Sequence, residues 1–199
     1  MRRGFKAEAE RLSMRIRQQI GVSEEAPINV KDLARHLNVE VFSASDLVSD
    51  TRLRQLEDEQ PGAFSAATFH LPNGRMAAVY NPLVDPARTK SDITHELAHV
   101  LLDHKVRDLQ QIAGHTFLTC DPEQEEEANW LAGCLLLPRS LLLKEAYVGA
   151  DAATIAQRYG VTLSMARFRL NTSGVLLQAR RTGQVRRRSP GRHQSAEDT

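Results

Sequence analysis

Two histidines stand four residues apart with a glutamate beside the first, in His95-Glu96-Leu97-Ala98-His99. Side chains at i and i+4 of an α-helix lie one above the other, so both imidazoles face one point and can grip a single metal ion. Glu96 is rotated by one residue step, and its carboxylate can reach a water on that ion without displacing a ligand. Zinc lowers the pKa of such a water to about 7, and a carboxylate so placed takes its proton as the oxygen attacks a carbonyl. The pattern fits metal-assisted hydrolysis.

A catalytic zinc usually takes three protein ligands and keeps its fourth position open. The third ligand must come from elsewhere in the chain. Asp103 sits about 12 Å along the helix axis from His95, too far for one ion to span. His104 lies about 140° round from His99 on a straight helix. It needs a sharp turn, and Leu101-Leu102-Asp103 offers no glycine. Cys120 remains open but isolated.

The acidic run Glu123 to Glu127 on the next long helix is the better source. Glu125 shares a face with Asn129, Ala132 and Gly133, a small-residue surface that allows the histidine helix to approach closely. Glu126 lies above Trp130 and Cys134, and Glu127 above Leu131 and Leu135, which read as bulky packing positions. Glu125 is therefore the expected third ligand, with Asn129 available to steady it or a ligand histidine. Compensation of the helix macrodipole accounts for Glu123, Glu126 and Glu127.

Several elements must position these side chains. Phe5, Ala9, Leu12, Ile16 and Ile20 recur at helical spacing before Gly21, which predicts an amphipathic helix over 5–20. A short helix over Lys31–Leu37 follows, then a left-handed cap at Asn38 and a strand over Val39–Phe42. The polar stretch Ser43–Gln60 reads as a mobile loop with a helical turn. Gly62–Leu71 and Arg75–Asn81 flank Pro72-Asn73-Gly74, a strong hairpin signal. Thr89 and Asp92 cap the histidine helix. A loop spans about 105–121, and Asp121-Pro122 opens a helix running to Leu137. Helices over Arg139–Val148, Ala152–Tyr159 and Leu163–Asn171 complete the pattern.

Across 199 residues, 26 basic and 25 acidic side chains nearly cancel. Six arginines crowd the segment from Arg180 onward, which excludes a uniformly basic nucleic-acid coat and leaves a locally basic tail. No apolar run approaches the roughly 18 residues of a membrane helix. Met1 to Ile20 holds no signal-peptide core, and two cysteines make no disulfide framework. A cytoplasmic protein with reduced thiols is expected.

The two helical motifs carry a resemblance. His95-Glu-Leu-Ala-His-Val-Leu-Leu-Asp-His104, followed by Glu125-Glu-Glu-Ala-Asn-Trp-Leu-Ala-Gly-Cys-Leu-Leu-Leu-Pro138, resembles the ImmA/IrrE family of metallo-endopeptidases over roughly residues 28–173. Two departures, at Trp130-Leu131 and at Leu137 where that family usually has Met, leave the metal-site positions unchanged. The resemblance implies His95, His99 and Glu125 as zinc ligands, one Zn2+ per chain, and Glu96 as catalytic base. It implies an α+β fold with a zincin-like core over 1–148. It further implies that the substrate is a helix-turn-helix repressor, cut to release mobile-element, phage or stress-response genes. An oxyanion stabiliser is expected from Tyr80, His115, Tyr147 or Tyr159. The hairpin edge near Arg75–Asn81 is expected to align substrate by β-addition.

Residues 149–178 read as a helix-turn-helix-like unit, with Gly160 at the turn, Thr162 as cap, and Arg167 and Arg169 on the second helix. Residues 179–199 read as a basic disordered tail. Arg167, Arg169 and the tail are the residues for weak nucleic-acid contact. They also support the competing reading, a DNA-binding regulator with a structural or vestigial metal site.

Overall fold

The computed structural model describes residues 1–62, 64–72, 74–104, 109–112, 115–118 and 121–182. The turn residue Asn73, Cys120, the side chain of His115 and the tail from Gly183 lie outside the described residues. The fold is α+β and mostly helical.

Helix α1 (Phe5–Gln19) buries Phe5, Ala9 and Ile16, the stripe that its periodicity predicts. Its buried polar residues tie it down. Ser13 donates to the Cys134 carbonyl, and the Arg17 guanidinium donates to the carbonyls of Ser23, Ala26 and Leu135. Burial lowers the Arg17 pKa to about 10, still far above neutrality. Helix α2 (Val30–His36) is followed by Asn38, which takes the left-handed conformation (φ 56°) just before strand β1 (Val39–Ser43).

The segment after β1 is more ordered than its composition predicts. A 3-10 turn (Ala44–Asp46) leads to helix α3 (Asp50–Glu59), whose first turn is capped by the Ser49 hydroxyl. Only Leu53 of α3 is buried, in a small cluster with Ala44 and Val79. One apolar anchor leaves almost no periodic signal, so the sequence reads as loop.

Strands β2 (Ala66–His70) and β3 (Met76–Tyr80) form the expected hairpin. However, β3 also pairs with β1 in parallel, Val39 opposite Met76 and Ser43 opposite Tyr80. The sheet order is thus β1-β3-β2, and β3 is the central strand. Its Ala77, Ala78 and Val79 are buried. The expectation of a substrate-binding edge at Arg75–Asn81 is therefore overturned, because both sides of β3 are occupied. The edge strands of this sheet are β1 and β2.

Helix α4 (Pro86–Leu101) begins a turn earlier than Thr89 suggests. Asp85 is the cap, accepting from the amides of Ala87 and Arg88, and Pro86 fills the first position, where no donor is needed. After α4 the structure replaces the expected loop with two antiparallel strands, β4 (Leu109–Ile112) and β5 (His115–Leu118).

Helix α5 (Pro122–Leu136) is apolar on all sides beyond its first turns, and from Ala128 onward every residue but Asn129 is buried. Such a helix must be central, and α5 packs against α1, α4 and α8. Helices α6 (Arg139–Tyr147), α7 (Ala152–Tyr159) and α8 (Leu163–Thr172) follow as predicted. Helix α9 (Val175–Arg181) is additional, burying Val175 and Ala179 against α6 and α8, so residues 179–181 belong to a packed helix and not to the disordered tail expected from 179. Among the described residues no helix is long and apolar enough to cross a membrane.

Candidate metal centre

Helix α4 presents His95 and His99 on successive turns, their Nε2 atoms 3.0 Å apart. Helix α5 brings Glu125 to the same point, its Oε2 3.3 Å from His95 Nε2 and its Oε1 3.5 Å from His99 Nε2. These separations test whether an ion fits. Ligand bonds of about 2.05 Å at a tetrahedral angle put donor atoms about 3.3 Å apart. The observed separations of 3.0, 3.3 and 3.5 Å, the last two to different oxygens of the one carboxylate, are of that size. Nitrogen, nitrogen and carboxylate oxygen form a donor set suited to zinc. All three side chains are partly exposed, so the centre opens to solvent on one side.

Glu96 lies beside the centre and is 6% exposed. Its Oε2 accepts a hydrogen bond of 2.9 Å from Thr68 Oγ1 on β2. Thr68 has no signature in the sequence. Its role follows only from the register, in which it stands opposite the buried Ala78 and shares that residue's face, toward α4.

The centre opens into a cleft of about 860 Å³. Ser65 and Ala66 at the start of β2 line one part of it, and Met165 and Phe168 of α8 another. Asn129 is exposed on this cleft. Asp92, one turn before His95, also lines it, and burial raises its carboxyl pKa although the Arg88 guanidinium lies 3.6 Å away. Gly133 corrects one expectation. A Cβ there would stand 2.7 Å from Arg169 Cδ and 3.4 Å from Met165 Sδ. The close approach that the small residue permits is that of α8.

The end of α4 differs from the sequence expectation. Asp103 adopts the left-handed conformation (φ 52°) without being glycine, which short polar side chains tolerate. The His104 amide then bonds to the His99 carbonyl and the Asp103 amide to the Val100 carbonyl, the paired bonds of a Schellman cap. His104 is thereby folded back over His99, with the two Nδ1 atoms 3.0 Å apart. Its Nε2 lies 3.8 Å from Glu127 Oε2. Burial lowers the His104 pKa, against the pull of that carboxylate. Glu127 is accordingly more than a macrodipole residue, since it is buried and also accepts from the Arg2 amide. By contrast, His95 Nδ1 is buried without a hydrogen-bond partner among the described residues.

Residues 34–171 match the family model described as Peptidase M78, the IrrE N-terminal-like domain. This chain belongs to the ImmA/IrrE family of metallopeptidases. The matched span contains both metal-site helices, the sheet and α8. No curated protein matches the chain.

Within this family member the remaining expected residues are dispersed. Tyr80 lines a different groove, beside Val30, Val41 and Ile93. Tyr147 packs on the main core, and the Tyr159 hydroxyl donates to the buried Glu145 at 2.7 Å. None of these tyrosines reaches the cleft. Arg169, expected to contact phosphate, is fully buried, donating to the Glu10 carboxylate and the Leu137 carbonyl. Arg167 is exposed. Cys134 is buried, and burial pushes its thiol pKa up, away from reactivity.

Proposed function

We propose that this metallopeptidase is a zinc-dependent endopeptidase in which His95, His99 and Glu125 hold the ion and Glu96 is the catalytic base. The observation that carries the reading is the convergence of two imidazole nitrogens and one carboxylate at separations that suit one tetrahedral ion, with a buried glutamate held beside them. Bound there, zinc supplies a Lewis acid for the scissile carbonyl and acidifies the attacking water. Thr68 fixes the orientation of Glu96 by holding Oε2. The Glu96 carboxylate takes the proton of the water as it attacks, and returns it to the leaving amide nitrogen.

In this reading residues 1–148 form a zincin-like catalytic unit and 149–178 a helix-turn-helix-like unit, with α9 running on to Arg181 before the basic tail. Edge strand β2 is the surface for an extended substrate segment, because its start lines the cleft and one side of it is unpaired within the three-stranded sheet. The proposed substrate is a helix-turn-helix repressor, as the family resemblance implies, which places the activity in the cytoplasm. Selection then rests on docking, and cleavage of generic unfolded protein is expected to be slow. Arg167 and the tail remain the residues for a weak, salt-sensitive nucleic-acid contact.

The test is Glu96→Gln. Purified wild type and variant should both carry about one zinc per chain, while cleavage of the repressor falls by roughly 10²- to 10⁴-fold in the variant. Undiminished cleavage by the zinc-loaded variant removes Glu96 from the chemistry. A wild type that takes up no zinc shifts the weight to the DNA-binding regulator.

A further inference from the structure

We propose that His104 and Glu127 are positioning residues in a directional relay, His104 hydrogen-bonded to His99 and Glu127 setting the His104 tautomer by its charge, that holds the His99 ring with its proton on Nδ1 and its Nε2 aimed at the metal. The proposal rests on the reading of His99 as a ligand through Nε2.

The direction of the relay follows from counting protons. His99 Nε2 faces His95 Nε2 and Glu125 within 3.5 Å, while its Nδ1 lies 3.0 Å from His104 Nδ1. A neutral imidazole carries one proton, and an Nε2 that ligates a metal carries none. The His99 proton is then on Nδ1 and is donated to His104. Only one proton fits between two ring nitrogens at that distance, so His104 Nδ1 must be the acceptor. The proton of His104 is therefore on Nε2, which points toward Glu127 Oε2 at 3.8 Å. A carboxylate there favours this tautomer electrostatically and disfavours the reverse.

Each member of the relay is fixed by something other than the metal. The left-handed Asp103 and the Schellman bonds fold His104 over His99. The side chains of His104 and Glu127 are 7% and 9% exposed, so competing water is largely shut out. Glu127 Oε1 is in turn held by the Arg2 amide at 3.1 Å and faces Arg2 Nε at 3.4 Å. A ligand histidine restrained through its second nitrogen loses less orientational freedom on binding metal and is a more basic donor, worth 10- to 100-fold in affinity in comparable sites. Among the described residues only His99 of the two has this support, since none of them bonds to His95 Nδ1.

The experiment combines nitrogen NMR of the zinc-loaded full chain with zinc affinity measured by chelator competition. In wild type, the imidazole spectra should show His99 protonated on Nδ1 and His104 on Nε2, with a coupling across the Nδ1–H···Nδ1 bond. His104→Phe should weaken zinc binding about 10- to 100-fold. His104→Asn, whose side-chain oxygen can accept in place of Nδ1, should restore most of the affinity. A His104 protonated on Nδ1 overturns the relay, as does a folded His104→Phe that binds zinc as wild type does. The wild-type spectrum decides the matter even where a variant does not fold. A wild type in which His99 does not ligate through Nε2 refutes instead the assignment of the metal centre, so the two failures are distinct.

Discussion

Glu125→Ala should uncouple zinc from the stability of the fold, because the carboxylate is the only one of the three donors carried by α5. His95 and His99 both lie on α4. A bound ion thus cross-links the two helices and stabilises the folded state by mass action. At free zinc of 100 times Kd the stabilisation is about 2.7 kcal/mol. For a chain of 199 residues, each kcal/mol moves Tm by about 2–4 °C, so saturating zinc should raise it by about 5–11 °C. Suppose that loss of the third donor weakens binding 100-fold. At the same zinc concentration the stabilisation falls to about 0.4 kcal/mol and the rise to about 1–2 °C. The assay is thermal unfolding by circular dichroism after chelator dialysis, with zinc titrated back. Glu96→Gln serves as the control and should keep the full shift, because its carboxylate is not a donor in this reading. A Glu125→Ala chain that keeps more than half of the wild-type shift would refute Glu125 as third ligand.

Two further outcomes separate the roles of nearby residues. Thr68→Val removes the hydrogen bond that orients Glu96, so kcat should fall about tenfold, from the loss of about 1.5 kcal/mol of a charge-assisted bond. Zinc content and KM should stay as in wild type. An unchanged kcat would show that Glu96 needs no such support. Arg169→Ala removes the guanidinium that pairs with Glu10, to which the Arg139 amide still donates, and opens a space between α8 and α5, so urea unfolding should show a loss of about 3 kcal/mol. Arg167→Ala, on the exposed face of the same helix, should leave the urea midpoint where it is. Equal effects of the two substitutions would contradict the buried placement of Arg169.

The parts of this molecule legible in sequence are those decided within a few turns of chain. The pairing of His95 with His99, the Asp121-Pro122 start of α5, the cap at Asn38 and the Gly160 turn before Thr162 depend only on neighbours in the chain. The placement of Glu125 with the histidines also follows, because periodicity selects its face. What escapes is decided by partners far away. Arg169 looks like a surface cation until Glu10, on α1, covers it. Strand β3 looks like one arm of a hairpin until β1 pairs with its other side. His104 is the instructive case, because its escape has a local cause. On a straight helix the fifth residue past His99 points about 140° away, and without glycine no turn is expected. Yet a Schellman cap places the residue after the left-handed position back over the third residue from the helix end. With Asp103 as the left-handed residue, those two positions are His104 and His99. Aspartate pays a modest conformational cost there that tertiary burial of His104 can offset. A histidine five residues past a helical metal ligand is thus worth testing as its hydrogen-bond partner whenever Asp, Asn or Gly stands immediately before it.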